Sequence, residues 1–447
     1  MLGEKKIREI TTKVLSLSQA DQTEVLVFSD DSQLTRFANS YIHQNVAERN
    51  VQVRVRAIVG KRIGVASTND LSGESLARVV ETALEVARLQ PENPDFISLP
   101  EPAPIPAVRA FSETTASFTP EARARAVGNI CRRAVENGLV ASGAFSTGVG
   151  EIAVANSLGV FAYFPTTLAD LKTVIMSEDS SGYGASVAWD VEQIDAGAVG
   201  VEAVDRALRG RHPRQIEPGR YTVILEEYAT EDILEMLSYV GLGALAVQEG
   251  RSFMCDRFGE QIVAPAISIW DDGLDPRGLP LPFDFEGVPK QRVSLIEKGV
   301  AMNVVYDSYT AGREGKASTG HSLPAPNTFG PLPINMFMAP GQATLEEMIA
   351  STERGILVTR FWYTRPVHPR LTIITGMTRD GTFLIEKGEI VYPVKNLRFT
   401  QSYLDALSSV EMVGRTTKLV RSDFELNGNH VPALKLREFE FTGVTEF

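Results

Sequence analysis

The chain has 447 residues, with 44 Lys+Arg against 56 Asp+Glu and a formal net charge of −12, which argues against a protein whose main task is gripping nucleic acid. Two cysteines, Cys131 and Cys255, are too few for a disulfide framework or a cysteine-rich zinc module. They fit a reducing, cytoplasmic setting, and 43% hydrophobic with 22% charged residues describes a globular chain of about two to three domains.

Met1 to Leu17 is charged, yet Ile7, Ile10, Val14 and Leu17 recur at helical spacing, so it reads as an amphipathic helix rather than a targeting segment. An apolar strand follows at Glu24 to Phe28, and Ala38-Asn39-Ser40 reads as a strand-connecting turn. Val51, Val53, Val55 and Ala57 alternate with Gln52, Arg54 and Arg56, the period of a half-buried strand. Leu76, Val79, Val80, Ala83, Leu84 and Ala87 then form one apolar helical stripe.

The same order recurs about 120 residues later. Thr119 is an N-cap, Pro120 opens a helix, Val127, Ile130 and Ala134 line it, and Asn137-Gly138 ends it. A strand at Leu139 to Thr147 leads to a second Ala-Asn-Ser at 155–157, then a strand at Leu171 to Met176. The closing helix runs near Ile194, Ala198, Val201, Val204 and Leu208, weakened by Gly197 and Gly200. Ile152 to Ala169 is the longest uncharged stretch, but Asn156, Ser157, Gly159 and Pro165 make it a strand-turn-strand and not a membrane span. Between the copies, 91–118 is a connector with Pro91, Pro94, Pro100, Pro102, Pro104 and Pro106, expected to be an extended spacer. Two α+β lobes, 1–90 and 119–212, are expected to cover each other's sheet faces.

Arg206, Arg209, Arg211 and Arg214 mark the boundary with the second half. They read as a helix end complemented by cations with a solvated linker, in preference to an anion dock. From 215 to 447, a strand at Tyr221 to Leu225 precedes a helix at Thr230 to Gln248 with Thr230 as its cap. Asp380-Gly381 and Lys387-Gly388 look like hairpin turns. Thr344 with Glu347 makes a capping box, and Ser402 with Asp405 starts another short helix. The fold class expected is α+β: a duplicated helix–sheet–helix N-terminal half followed by a mostly antiparallel, barrel-like β domain.

Chemistry is sparse. The histidines His43, His212, His321, His368 and His430 include no pair three to five residues apart, so no helix offers a two-histidine metal platform. There is no G-x-S-x-G elbow, P-loop or dinucleotide fingerprint. Asp271-Asp272-Gly273 offers paired carboxylates for a metal, or simply a turn after the strand Ala266 to Trp270. Gly315, Ser318, Thr319, Gly320 and His321 form a small-residue loop able to approach a substrate backbone, and His321 and His368 could converge on it.

Over nearly its whole length the chain resembles the TldD/PmbA proteins, a family associated with peptide maturation and historically called modulators of DNA gyrase. The likeness rests on Arg36-Phe37-Ala38-Asn39-Ser40, the Gly64 to Asp70 stretch, Gly250-Arg251-Ser252-Phe253, Asp271-Asp272-Gly273, Phe285-Glu286-Gly287-Val288-Pro289, Gly315-Lys316-Ala317-Ser318-Thr319-Gly320, Gly341, and Phe441-Thr442-Gly443. The resemblance implies a metallopeptidase whose TldD branch carries H-E-x-x-x-H on a helix, two histidines and a C-terminal cysteine holding zinc with the glutamate as base. Here that stretch is Leu237-Ser238-Tyr239-Val240-Gly241-Leu242, so leucine stands at both ligand positions and serine at the base, while the cysteine's place falls near Phe424. Leucine has no lone pair for a metal, and serine does not replace a carboxylate base.

The implied role is therefore the PmbA (TldE) side: a non-catalytic subunit of a heteromeric peptidase acting on extended or unfolded peptides, itself without zinc, which is expected only in a TldD-like partner. The expected assembly is a homodimer or a heterodimer with such a subunit, with no nucleic acid and no membrane. Ser318, Thr319, Gly320 and His321 are the candidate peptide-cleft loop. Two alternatives stay open: an active metal-dependent peptidase with non-standard ligands such as His321, His368 or Asp271, and a DNA gyrase modulator, which the acidity disfavours.

Overall fold

The computed structural model describes residues 1–421 and 428–445. The helix Glu4–Leu17 turns Ile7, Ile10 and Val14 inward, while Leu17 is exposed. The strands Gln22–Ala38 and Tyr41–Val59 are joined at Asn39 and Ser40, with φ of 52° and 61°. Two successive left-handed residues suit the twist of a tight hairpin. Arg62–Thr68 and the helix Gly73–Leu89, capped by Ser72, complete the first copy. The second repeats the order with Pro120–Glu136, Val140–Asn156, Phe161–Met176, Ser181–Ala188 and Ala196–Arg209, and Thr119 does cap its first helix.

The two copies do not cover each other's sheets. Their first strands pair antiparallel, from Glu24 opposite Asn156 to Phe37 opposite Gly143, and fuse six strands into one sheet. Length explains this. A strand of 17 residues spans roughly 55 Å, and a helix of 17 residues only about 25 Å. One sheet face therefore holds both helix pairs side by side. Val25, Val27, Val53 and Val55 lie under the first pair, and Ala141, Phe145, Leu171 and Ile175 under the second. The alternate residues Leu26, Val154, Ala162 and Phe164 are left to pack against Leu281, Phe283, Leu332 and Ile334 of the second half. The proline-rich connector is extended but not a free spacer. Ile105, Val108 and Ala110 join that same cluster, the Ala110 carbonyl accepts from the Thr167 amide, and Glu113–Ala116 forms a short helix.

In the second half, five strands close into a ring: Gly219–Leu225, Arg354–His368, Ile373–Glu386, Leu397–Ser402 and Gly428–Val444. Gly219–Leu225 runs parallel to Arg354–His368 and antiparallel to Gly428–Val444, which closes the barrel. Short strands at Ile269–Asp271, Val293–Glu297, Val300–Ala301 and Met336–Met338 extend the sheet sideways.

The central helix Glu227–Gly241 packs against the ring and is buried over most of its surface, with Glu227, Asp232 and Glu235 half-buried and Tyr239 exposed. It starts earlier than its sequence suggests, because strand passes to helix through Glu226 alone, and Thr230 lies inside it rather than capping it. It also ends earlier. A Cβ at Gly243 would lie 2.1 Å from the Pro331 carbonyl, and the chain restarts as Ala244–Gln248. Lys387-Gly388 is a hairpin turn, whereas Asp380-Gly381 is a bulge inside a strand. Bulge and turn demand the same left-handed residues, so the dipeptide does not separate them. The Asp380 carboxylate accepts from Arg360 and Ser181. The arginine cluster disperses to separate neighbours. Arg206 is buried between Glu202 and Glu226, departing from a solvated linker, and Arg209 pairs with Asp205.

Candidate functional site at the domain junction

The polar side of the Tyr41–Val59 strand faces the barrel domain. There Arg56 donates to Glu24 at 2.5 Å and to Glu286 at 3.0 Å. Glu24 is only 3% exposed. Burial, partly offset by Arg56 and reinforced by Glu286, lifts its carboxyl to about 7. Asp284 behind it is likewise pushed to about 7 by burial and by Glu286, although the amides of Glu286, Val288 and Ser322 donate to it. Asp307 caps the helix Ser308–Glu314 through the Thr310 amide, and burial followed by Glu286 raises it. Of these groups, Arg56, Glu286 and Asp307 floor a cleft of about 620 Å³. Ile63 and Val65 of the sheet's edge strand form one wall, Phe96 and Ile97 of the connector another, and the segment from Ser322 to Gly330 a third.

Beneath that third wall lies the small-residue loop. Ser318 Oγ donates to the Tyr306 carbonyl. Gly320 sits at φ 75°, and a Cβ there would stand 2.4 Å from the Pro289 carbonyl, so only glycine passes. That turn drives His321 inward, to 1% exposure against an Asp271 at 0%. His321 Nε2 meets Asp271 Oδ1 at 2.7 Å, and Nδ1 meets Thr319 Oγ1 at 2.9 Å. Asp271 Oδ2 accepts from the Asn335 amide at 2.7 Å.

Burial and then Lys290 lower the His321 imidazole, keeping it neutral. Burial would lift Asp271, but His321, Lys290 and the Asn335 amide hold it below its ordinary value. The neutral ring thus donates from Nε2 to a carboxylate and turns its acceptor Nδ1 to Thr319 Oγ1, a hydroxyl that also reaches the Tyr306 carbonyl at 3.1 Å and accepts from the Tyr306 amide. Both ring nitrogens have a polar neighbour, and none of Ser318, Thr319, Gly320 and His321 lines the cleft, whose wall begins at Ser322.

The structure therefore unites two of the sequence candidates, Asp271 and His321, and leaves the third apart: His368 is exposed and accepts from the Leu371 amide. The helical positions where the family carries its zinc ligands do not fit a metal. Leu237 and Leu242 are 0% exposed in the apolar core, and Ser238 Oγ is committed to the Pro333 carbonyl at 2.9 Å. The position near Phe424 lies outside the described residues. Among the described residues no three His, Cys, Asp or Glu side chains are placed to hold a metal ion. Glu24, Arg56 and Asp307 did not stand out in the sequence as site residues, and Glu286 appeared only within the Phe285 to Pro289 stretch of the family likeness. The one signal was Arg54 and Arg56 alternating with valines, which marks a polar face without saying what covers it.

Residues 23–87, 113–211 and 218–443 match, in turn, PmbA/TldA metallopeptidase domain 1, central domain and C-terminal domain. The chain belongs to this PmbA/TldD family of metallopeptidase-related proteins. It is 26% identical over 392 residues to the metalloprotease PmbA of Escherichia coli O157:H7, covering 84% of this chain and 83% of that protein. Identity to a metalloprotease TldD homolog of Haemophilus influenzae is also 26%, over 82% of this chain and 80% of the homolog. In fold it matches TldE from Thermococcus kodakarensis with a TM-score of 0.89, at 20% identity over 98% of this chain and all of the other. Among the described residues no helix is long and apolar enough to cross a membrane.

Proposed function

We propose that this chain is the non-catalytic, PmbA/TldE-like subunit of a heteromeric metallopeptidase, and that a TldD-like partner supplies the zinc and the base. The observation that carries the reading is the central helix. At the positions where the family's active branch places ligands and base, this chain has two leucines sunk in the core and a serine whose hydroxyl already has a partner. A leucine in that setting stabilises by apolar burial and offers a metal nothing. The cleft between sheet and barrel then serves to hold an extended peptide for the partner to cut.

A second reading has one observation in its favour, the Thr319–His321–Asp271 chain, which has the connectivity of a nucleophile relay. Its burial and its filled hydrogen bonds make it a tether for the cleft wall instead. Metal analysis by mass spectrometry on untagged protein purified with zinc, followed by cleavage of an unfolded polypeptide with and without a TldD-like protein, tests the proposal. Near-zero zinc and cleavage only in the mixture are expected. One zinc per chain with cleavage by this chain alone overturns it.

A further inference from the structure

We propose that the junction cleft recognises a primary ammonium group of an extended peptide, seating it on Asp307. This deepens the peptide-holding role above and rests on it. The Arg56 guanidinium is already paired with Glu24 and Glu286, and among the described residues Asp307, which lines the cleft beside them, has no ion pair of its own. Glu286 uses one oxygen for Arg56 and the other for the Ser308 amide. Asp307 is 6% exposed and lines the cleft, and its Oδ1 takes both the amide and the hydroxyl of Thr310. Its Oδ2 has no partner among the described residues.

The floor is thus rich in acceptors and poor in cations. An ammonium brings three donors and no acceptor, the complement of such a floor. A carboxylate or phosphate would meet like charge. The peptide backbone also has a place. Among the described residues the strand Arg62–Thr68 pairs only with Tyr41–Val59, which leaves its outer edge without a strand partner beside the cleft that Ile63 and Val65 wall, and an open edge accepts an added strand.

The ammonium has two sources, a peptide N-terminus or a lysine side chain, and one series of probes separates them. A short fluorescein-labelled peptide, otherwise uncharged, is made with a free or acetylated N-terminus and with lysine or norleucine, and its binding to the full chain is followed by fluorescence anisotropy. At least one ammonium form is expected to bind about tenfold or more tighter than the doubly neutral form, the scale of one charge-assisted hydrogen bond. Loss on acetylation names the terminus, and loss on norleucine names the lysine.

Asp307→Asn is expected to erase most of that difference. Asparagine keeps the helix cap, and a thermal melt checks the fold. Should the variant not fold, the peptide series on the native chain decides alone. Equal binding of all forms overturns the ammonium proposal while leaving a peptide-holding cleft intact. No binding of any form removes both, and the zinc and partner measurements still judge the subunit assignment separately.

Discussion

Replacing Arg56 by methionine tests how the two halves are held together. Methionine keeps much of the stem's apolar bulk and removes the charge. The Arg56 side chain is 12% exposed, and its partners Glu24 and Glu286 are 4% and 7% exposed. Deleting the cation therefore leaves two carboxylates facing each other in a dry junction. Breaking a buried pair from one side costs about 3–5 kcal/mol, a large part of the roughly 5–15 kcal/mol that holds a typical domain folded.

The loss depends on pH, with a definite sign. Glu24 is already raised from 4.5 to about 7. A raised folded-state value means its protonated form is favoured, so that stability is complete below about 4.5 and is lost as pH climbs through about 7. Without Arg56, which now pulls it down, the carboxyl rises further and the window extends upward. Arg56→Met is accordingly expected to cost little at pH 5 and the full amount at pH 8.5. Urea unfolding followed by tryptophan fluorescence at both values measures it, and the double variant with Glu24→Gln should recover at least half of the loss at pH 8.5. A loss below about 1 kcal/mol at pH 8.5, or equal losses at both pH values, refutes the reasoning.

Two further substitutions follow from the same physics. His321→Ala strands Asp271 Oδ1 in a buried site, so unfolding experiments should show about 3 kcal/mol lost; an unchanged stability with lost peptide cleavage would instead favour the relay reading. Leu237→His puts an imidazole into a fully buried apolar position and should destabilise by about 3 kcal/mol or more, a loss that added zinc does not recover in a thermal melt.

What the sequence determined by itself was local. Thr119, Thr344 with Glu347, and Ser402 cap helices as read, because a cap is a contact between residues three apart. The duplication was legible for the same reason, each copy repeating a helix, a strand, an Ala-Asn-Ser turn, a further strand and a helix, while the strands Arg62–Thr68 and Ser181–Ala188 were not read. Residue type also states by itself that Leu237 and Leu242 carry no ligand atom and that Ser238 carries no carboxylate. Tertiary structure decided the rest. The fusion of the copies into one sheet depends on which strand edges meet, and nothing within Gln22–Ala38 or Val140–Asn156 states that. Asp380-Gly381 is a bulge and not a turn because Arg360 and Ser181 converge on it from elsewhere in the chain. The cleft floor joins Arg56, itself paired with Glu24, to Glu286 and Asp307 from the far half of the sequence. Electrostatics and burial act through space, so a side chain such as Glu24 acquires its altered acidity only when distant residues close over it.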